Sequence, residues 1–476
     1  MMKKMKIMLS VAAILSIAVN VFAAKIDNYF EYAKNNEALL TAFLHKMPKG
    51  ADLENNLSYA GYGEYMIDYA IKNNLAFDRQ TQKIVADTKS STSTKKQTAA
   101  QKAAVDAANS SVWTASDLAY NSLAYAEALR ALSANATIAK SANAVDYYET
   151  VRRILTRAVN QNILYVELTA SLQGEDYEYW LDRIEAIRKD VAAKAKRDFY
   201  LGIILPIDAN ETSNAKLPFD EKEYLSYFND KVSAIMAAAV KFRDKGIVGV
   251  SLSLPDGWVA RNEFDVQINV INRYWTAYEK RGALINMSIQ SGFMTAQQSP
   301  YESIIDNIAK SVRFGHAKRI GAGTSIAWEN NVYALLEYMR DNGIAVEIIP
   351  SADENILKVF GASKSPFLLY RDAGVPITIN TNAEEFLRSN LTAEYVKAAI
   401  NFNLSYNDIK RLAFNALEYS FIAGESLFDN GNYSKPKKAF PSNSKKALLQ
   451  RKLLNEFNEF EGQMTDIIKN DFPNVK

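Results

Sequence analysis

Only two histidines, His45 and His316, stand in this chain, and it has no cysteine. A thiolate nucleophile, a disulfide framework and a three-histidine metal centre are therefore excluded, because the groups they need are missing. A Ser-His-Asp relay would have to recruit one of the two imidazoles, and neither falls at the carboxyl end of a predicted strand. His45 sits in the turn before Met47-Pro48 and His316 just before a predicted strand, so a solvent-facing or locally hydrogen-bonded ring is the favoured reading of both. Carboxylates remain. Glu54 could pair with Asp353 or Glu384 for acid–base work, but those two acids are equally placed to cap the helices that follow them, and capping is preferred. Tyr59, Tyr62, Trp258, Phe293 and Trp328 also gather near strand ends. They read either as a stacking surface for a planar or sugar ligand or, preferably, as an apolar plug.

Short β-rich runs alternating with longer helical patterns must position these groups. Strands are predicted at 50–57, 163–169, 199–205, 247–254, 283–289, 318–322, 344–349 and 376–381, with helices between most of them. That alternation argues for a parallel sheet with crossover helices, and eight runs suit a closed (β/α)8 TIM barrel of the α/β class better than an open sheet. In such a barrel chemistry sits at the carboxyl ends of the strands. Additions are predicted at both ends. An N-terminal helix carries Ile26, Phe30, Ala33, Leu39, Leu40 and Phe43 at helical spacing. Extra C-terminal helices cover 391–423, and after a break at 430–443 one more carries the stripe Leu449, Leu453, Phe457, Phe460, Met464 and Ile468, expected to pack on the barrel. The Ser-, Thr-, Lys- and Ala-rich stretch 88–111 reads as an insertion.

The first residues combine Lys3, Lys4 and Lys6 with an apolar run from Ile7 to Val19 and the small-residue pattern Val21-Phe22-Ala23, as an export signal does. The expected organisation is a signal peptide at 1–23, a barrel at 24–429 that includes the insertion, and a C-terminal linker and helix at 430–476. Loss of residues 1–23 would turn the formal charge from +2 to −1, which leaves no electrostatic case for nucleic acid. No later stretch is apolar enough to span a bilayer, so the mature protein is expected to be periplasmic or secreted, without a membrane span.

Several segments at the predicted strand ends resemble one family. Met47-Pro48-Lys49-Gly50-Ala51-Asp52-Leu53-Glu54-Asn55-Asn56-Leu57-Ser58 is similar to the first-strand motif of adenosine deaminases and their secreted relatives, in which a His-x-His pair follows a Met-Pro-Lys-Gly lead. Further matches follow in order: Tyr165-Val166-Glu167-Leu168, Gly249-Val250-Ser251-Leu252, Ser291-Gly292, Arg319-Ile320-Gly321-Ala322-Gly323, Val346-Glu347-Ile348 and Ala373-Gly374-Val375-Pro376. The segments 391–396, 404–406 and 418–421 also resemble the family's C-terminal helices. Together these span roughly residues 26–428.

The resemblance implies a zinc-dependent deaminase of the metal-dependent amidohydrolase superfamily, with two histidines, a later histidine and an aspartate holding the metal. At those positions this chain has Glu54, Asn56, Gln290 and Asn382. The family's general acid corresponds to Phe293 and its water-orienting histidine to Ala322. Among ligand-contacting positions Gly292 is kept, while the others correspond to Tyr59, Leu254 and Ala383. The resemblance thus implies a degenerate site that binds no zinc and uses no cofactor. The four replacements are all oxygen donors and suit a hard cation in principle, but one carboxylate among three amides is a weak charge complement, and two amides can bond to each other. The expected function is a non-catalytic barrel, a pseudoenzyme, that binds a small molecule or protein. The alternatives are a purine nucleoside hydrolase with altered metal or chemistry, and an assembly protein docking through 88–111 or the C-terminal helix.

Overall fold

The structure, a computed structural model, describes residues 25–475 apart from 82, 87–111, 121, 125, 129–143, 173–175, 209–220, 254–260, 430 and 439–442. The segments expected to be a signal peptide and an insertion therefore lie outside the described residues. Eleven strands are described: β1 (Lys49–Asn56), β2 (Leu75–Asp78), β3 (Lys83–Ala86), β4 (Val112–Trp113), β5 (Ile163–Thr169), β6 (Tyr200–Asp208), β7 (Ile247–Ser253), β8 (Met287–Ser291), β9 (Ala317–Ala322), β10 (Ala345–Ile348) and β11 (Ile377–Ile379).

Eight of these, β1 and β5 to β11, pair in parallel in chain order. The first and last meet through one bridge between Asn55 and Asn382. There the Asn56 amide donates to the Asn382 carbonyl and the Asn382 amide to the Glu54 carbonyl. The sheet is thus nearly closed into the predicted barrel, with helices around it. All eight predicted strands are present, although β8 begins at Met287, where the prediction began at residue 283. Strands such as Ile-Leu-Tyr-Val-Glu-Leu-Thr in β5 are buried at almost every position, as a parallel strand covered on both faces must be. The surrounding helices show the complementary pattern. In Tyr177–Ala195 the buried residues are Trp180, Leu181, Ile184, Ile187 and Val191, one face at helical spacing, and Asp176 caps the first turn.

Strands β2, β3 and β4 make a small antiparallel sheet with its own core of Met66, Ile67, Ala70, Phe77, Leu118 and Ala128. The sequence reading contains no such sheet, because strands of two and four residues are too short for periodicity to register. The last helix, Lys445–Asp471, buries all six residues of its predicted stripe in the main core. Among the described residues no helix is long and apolar enough to cross a membrane.

Candidate functional site

Parallel pairing brings the carboxyl ends of the barrel strands to one face, and the residues singled out by type converge there. Glu54, Asn56, Gln290 and Asn382 line one cavity of about 30 Å³ together with Leu53, Thr169, Ser251, Ser253, Ser288 and Arg319. A Cβ placed on Gly321 would stand 3.4 Å from Glu54 Oε1 and 3.3 Å from the Gln290 Cα, so the Glu54 carboxyl reaches across the barrel to β8 and β9. Glu54 Oε2 is buried without a hydrogen-bond partner. Burial first, and then the nearby charges of Glu347 and Asp52, hold this carboxyl well above its ordinary range, while Arg319 pulls the other way. Asn56 is partly committed, since its Oδ1 accepts from the Ser58 amide and caps the short helix Leu57–Ala60.

The backbone around the cavity keeps unusual conformations. Ala322 has φ of 73° and Asn382 of 47°, in the left-handed region that costs an alanine on the order of 1 kcal/mol. Gly292 has φ of 76°, and a side chain there would also strike Ile308 at 2.7 Å. Beside the cavity Phe293 and Ala383 pack with Ile349, Ala352, Ile356 and Leu387 in a separate apolar cluster. Phe293 thus packs among apolar side chains, but it is not one of the residues that line the cavity. Tyr59 and Trp328 are instead exposed, Tyr62 stacks on the Arg157 guanidinium, and Leu254 and Trp258 lie outside the described residues.

The capping reading of the two acids fails. The Asp353 carboxylate accepts from the Thr324 hydroxyl at 3.1 Å, and burial pushes its pKa up to about 7. Glu384 opens the helix Glu384–Leu387 but turns its carboxylate to Arg157 and Asn55. Neither is among the charged groups acting on Glu54. His316 Nε2 hydrogen-bonds to the Asn272 side-chain oxygen at 2.8 Å and the ring stacks on Trp275, as a locally bonded imidazole does, while His45 is exposed in the last turn of Glu37–Lys46. Lys49 of the first-strand lead is structural: its buried ammonium donates to the carbonyls of Leu44, Met47 and Gln161.

A second set of charges was missed by sequence reasoning. Arg319 is buried in the barrel, donating to Glu347 and Glu167 at 2.6 Å each and to the carbonyls of Leu53 and Tyr419, with its guanidinium 3.7 Å from the centre of the Phe421 ring. Glu347 also accepts from Ser288, and Glu167 from Tyr165 and the Phe421 amide. The available signal was charge inside three strand runs: Glu167 in β5, Lys318 and Arg319 in β9, and Glu347 in β10.

A mononuclear zinc site draws on imidazole, thiolate and carboxylate. Here one carboxylate stands among three amides, and among the described residues no three His, Cys, Asp or Glu are grouped to hold a metal. This donor set does not fit the zinc site that the resemblance implies.

Residues 225–427 match the family model described as Adenosine deaminase. The chain is 27% identical over 280 residues to an aminodeoxyfutalosine deaminase of Streptomyces coelicolor, the match covering 57% of this chain and 63% of that relative. It is 28% identical over 140 residues to an adenosine deaminase of Clostridium acetobutylicum, covering 29% and 41%. The chain thus spans less than two thirds of the length of these curated relatives. Among solved structures, an amidohydrolase from Burkhoderia ambifaria with bound Zn superposes with a TM-score of 0.53 at 15% identity, covering 90% of this chain and 94% of that one. An adenine deaminase from Arthrobacter aurescens gives 0.51 at 13%, covering 86% and 98%. The Zn bound in the first of these overturns the expectation that no cofactor is used, since a poor fit to zinc at four positions does not amount to a barrel without a metal. Residues 225–427 thus resemble the adenosine deaminase family, on an eight-stranded parallel barrel of the fold that the solved amidohydrolase and deaminase share.

Proposed function

We propose that this barrel is an exported protein that does not carry out zinc-dependent adenosine deamination and uses the scaffold for binding. The observation that carries the reading is the strand-end cavity. Its Glu54, Asn56, Gln290 and Asn382 offer no imidazole, and Phe293 and Ala383 pack in a separate apolar cluster. A cavity of about 30 Å³ has room for one or two waters, whereas small-molecule pockets run to roughly 300 Å³ and more. Deamination needs a proton donor and a positioned water at the ring, and Phe293 and Ala322 supply neither. The segment 1–23 supports export to the periplasm or beyond, and a small molecule or a protein is the partner class, with no role for nucleic acid.

A second reading is favoured by the names of the relatives: a purine nucleoside hydrolase with altered chemistry. An adenosine-to-inosine absorbance assay on the purified mature chain, with and without added Zn²⁺, separates the two. No turnover in either condition is expected, and metal-dependent turnover would overturn the first reading.

A further inference from the structure

We propose that a trough on the outer wall of the barrel, apart from the strand-end cavity, binds a neutral sugar of mono- or disaccharide size. It lies between three helices: Glu37–Lys46 and Leu391–Asn401, which pack on each other, and Ala144–Asn160, which packs instead on Tyr177–Ala195. Its volume of about 730 Å³ falls in the range of roughly 300–1,000 Å³ typical of small-molecule pockets, which the strand-end cavity does not reach. One face of Ala144–Asn160 forms a wall, with Glu149, Arg152, Arg153, Thr156, Arg157 and Asn160 following one another at helical spacing.

Charge selects the class of ligand. Each cation of the walls already has an acid: Arg152 pairs with Asp190, Arg153 with Asp68 and Glu149, Arg157 with Glu384, and Lys397 with Glu354. Among the described residues that line the trough, Glu37 and His45 are the ionisable groups left without an ion pair, and both are exposed. The backbone amides of Thr392 and Ala393, in the first turn of Leu391–Asn401, are taken as well, by Gln161 Oε1 at 3.0 Å and Asn390 Oδ1 at 3.1 Å. A phosphate or carboxylate would therefore have to displace acceptors that are in place.

What the walls still offer is hydrogen bonding without charge. The side chains of Thr41 and Asn160 have no partner among the described residues, and Thr392, only 4% exposed, carries a hydroxyl with no hydrogen-bond partner. Arg152 and Arg153 keep N–H groups beyond those in their ion pairs, and Glu37 accepts. Ala393 and Val396 add an apolar strip. A sugar ring matches this mixture: its hydroxyls donate and accept around the edge, its C–H groups cover apolar surface, and it brings no charge that needs a counter-ion.

The trough is a different face from the strand ends, so the proposal stands or falls separately from the question of deamination. The purified mature chain is titrated by calorimetry with glucose, galactose, N-acetylglucosamine, maltose and lactose, and with sodium sulfate and putrescine as charged comparators. At least one sugar is expected to bind, one per chain, with a Kd in the millimolar range or tighter. Ala393→Trp, which fills the trough, should abolish the binding heat, and Asn160→Ala should weaken binding about 5-fold while leaving Tm unchanged. The second variant, at an exposed position, decides the matter if the first does not fold. No heat from any of these sugars, tighter binding of sulfate or putrescine than of every sugar, or sugar binding that Asn160→Ala leaves unchanged would each overturn the proposal.

Discussion

Two groups of acids share the interior of this barrel and differ in how they are satisfied. Glu167 and Glu347 are held by the Arg319 guanidinium, and each accepts at least one further hydrogen bond, from Tyr165 and the Phe421 amide or from Ser288. Glu54, which feels the charge of Glu347, ends in an oxygen with no partner. A network closed on itself holds strands together. A carboxyl oxygen left open in a cavity ties nothing together, and the difference separates the acids that serve as scaffold from the one that does not.

The comparison breaks most sharply at Arg319. Arg319→Ala leaves two buried carboxylates without their cation and should cost about 3–5 kcal/mol in urea unfolding. A loss below about 1 kcal/mol would mean that the network is not structural. Next comes pH. Burial pushes Asp52, Glu329 and Asp353 each up to about 7, from ordinary values of 3.8, 4.5 and 3.8. In each case the folded state keeps a proton that the unfolded chain releases. Their contribution is therefore full below about pH 4 and lost as pH rises through about 7, so Tm should decline across that window. Asp353→Asn keeps the oxygen that accepts from Thr324 and should flatten the decline; a Tm that rises over the same interval would contradict the assignment of these groups.

Smaller effects sharpen the contrast at the site itself. Phe293 is half-buried in the apolar cluster with Ile349, Ala352 and Leu387, so Phe293→Ala should cost about 2 kcal/mol, less than a fully buried phenylalanine. If chemical denaturation shows no loss, the ring does not contribute to the packing of that cluster. The smallest change has the opposite sign. Ala322→Gly relieves a left-handed alanine and should stabilise the chain by roughly 0.5–1 kcal/mol, net of the added freedom of the unfolded chain. Destabilisation would show that the alanine methyl packs usefully at the end of β9.

Much of the scaffold was legible because it rests on patterns that span many residues. The eight apolar runs, the helical stripe of the last helix and the ordered strand-end segments are each set by local periodicity, and the barrel that closes through Asn55 and Asn382 follows from them. The small sheet of β2, β3 and β4 was not legible, since its strands are short and β4 lies more than twenty residues beyond β3. The roles of the acids were misread for a related reason. Asp353 and Glu384 have the local sequence of helix caps, yet each carboxylate finds a partner from elsewhere in the chain, Thr324 in one case and Arg157 in the other.

By itself the sequence determined which chemical groups exist: no thiol, two imidazoles away from the carboxyl ends of the strands, and four oxygen-bearing side chains, Glu54, Asn56, Gln290 and Asn382, at those ends. It also determined the barrel, because strand and helix periodicity are properties of adjacent residues. Only the tertiary structure decided that Arg319 neutralises Glu167 and Glu347 while Glu54 stays open, because those partners are 152, 28 and more than 200 residues apart in the chain and are brought together only by closure of the sheet.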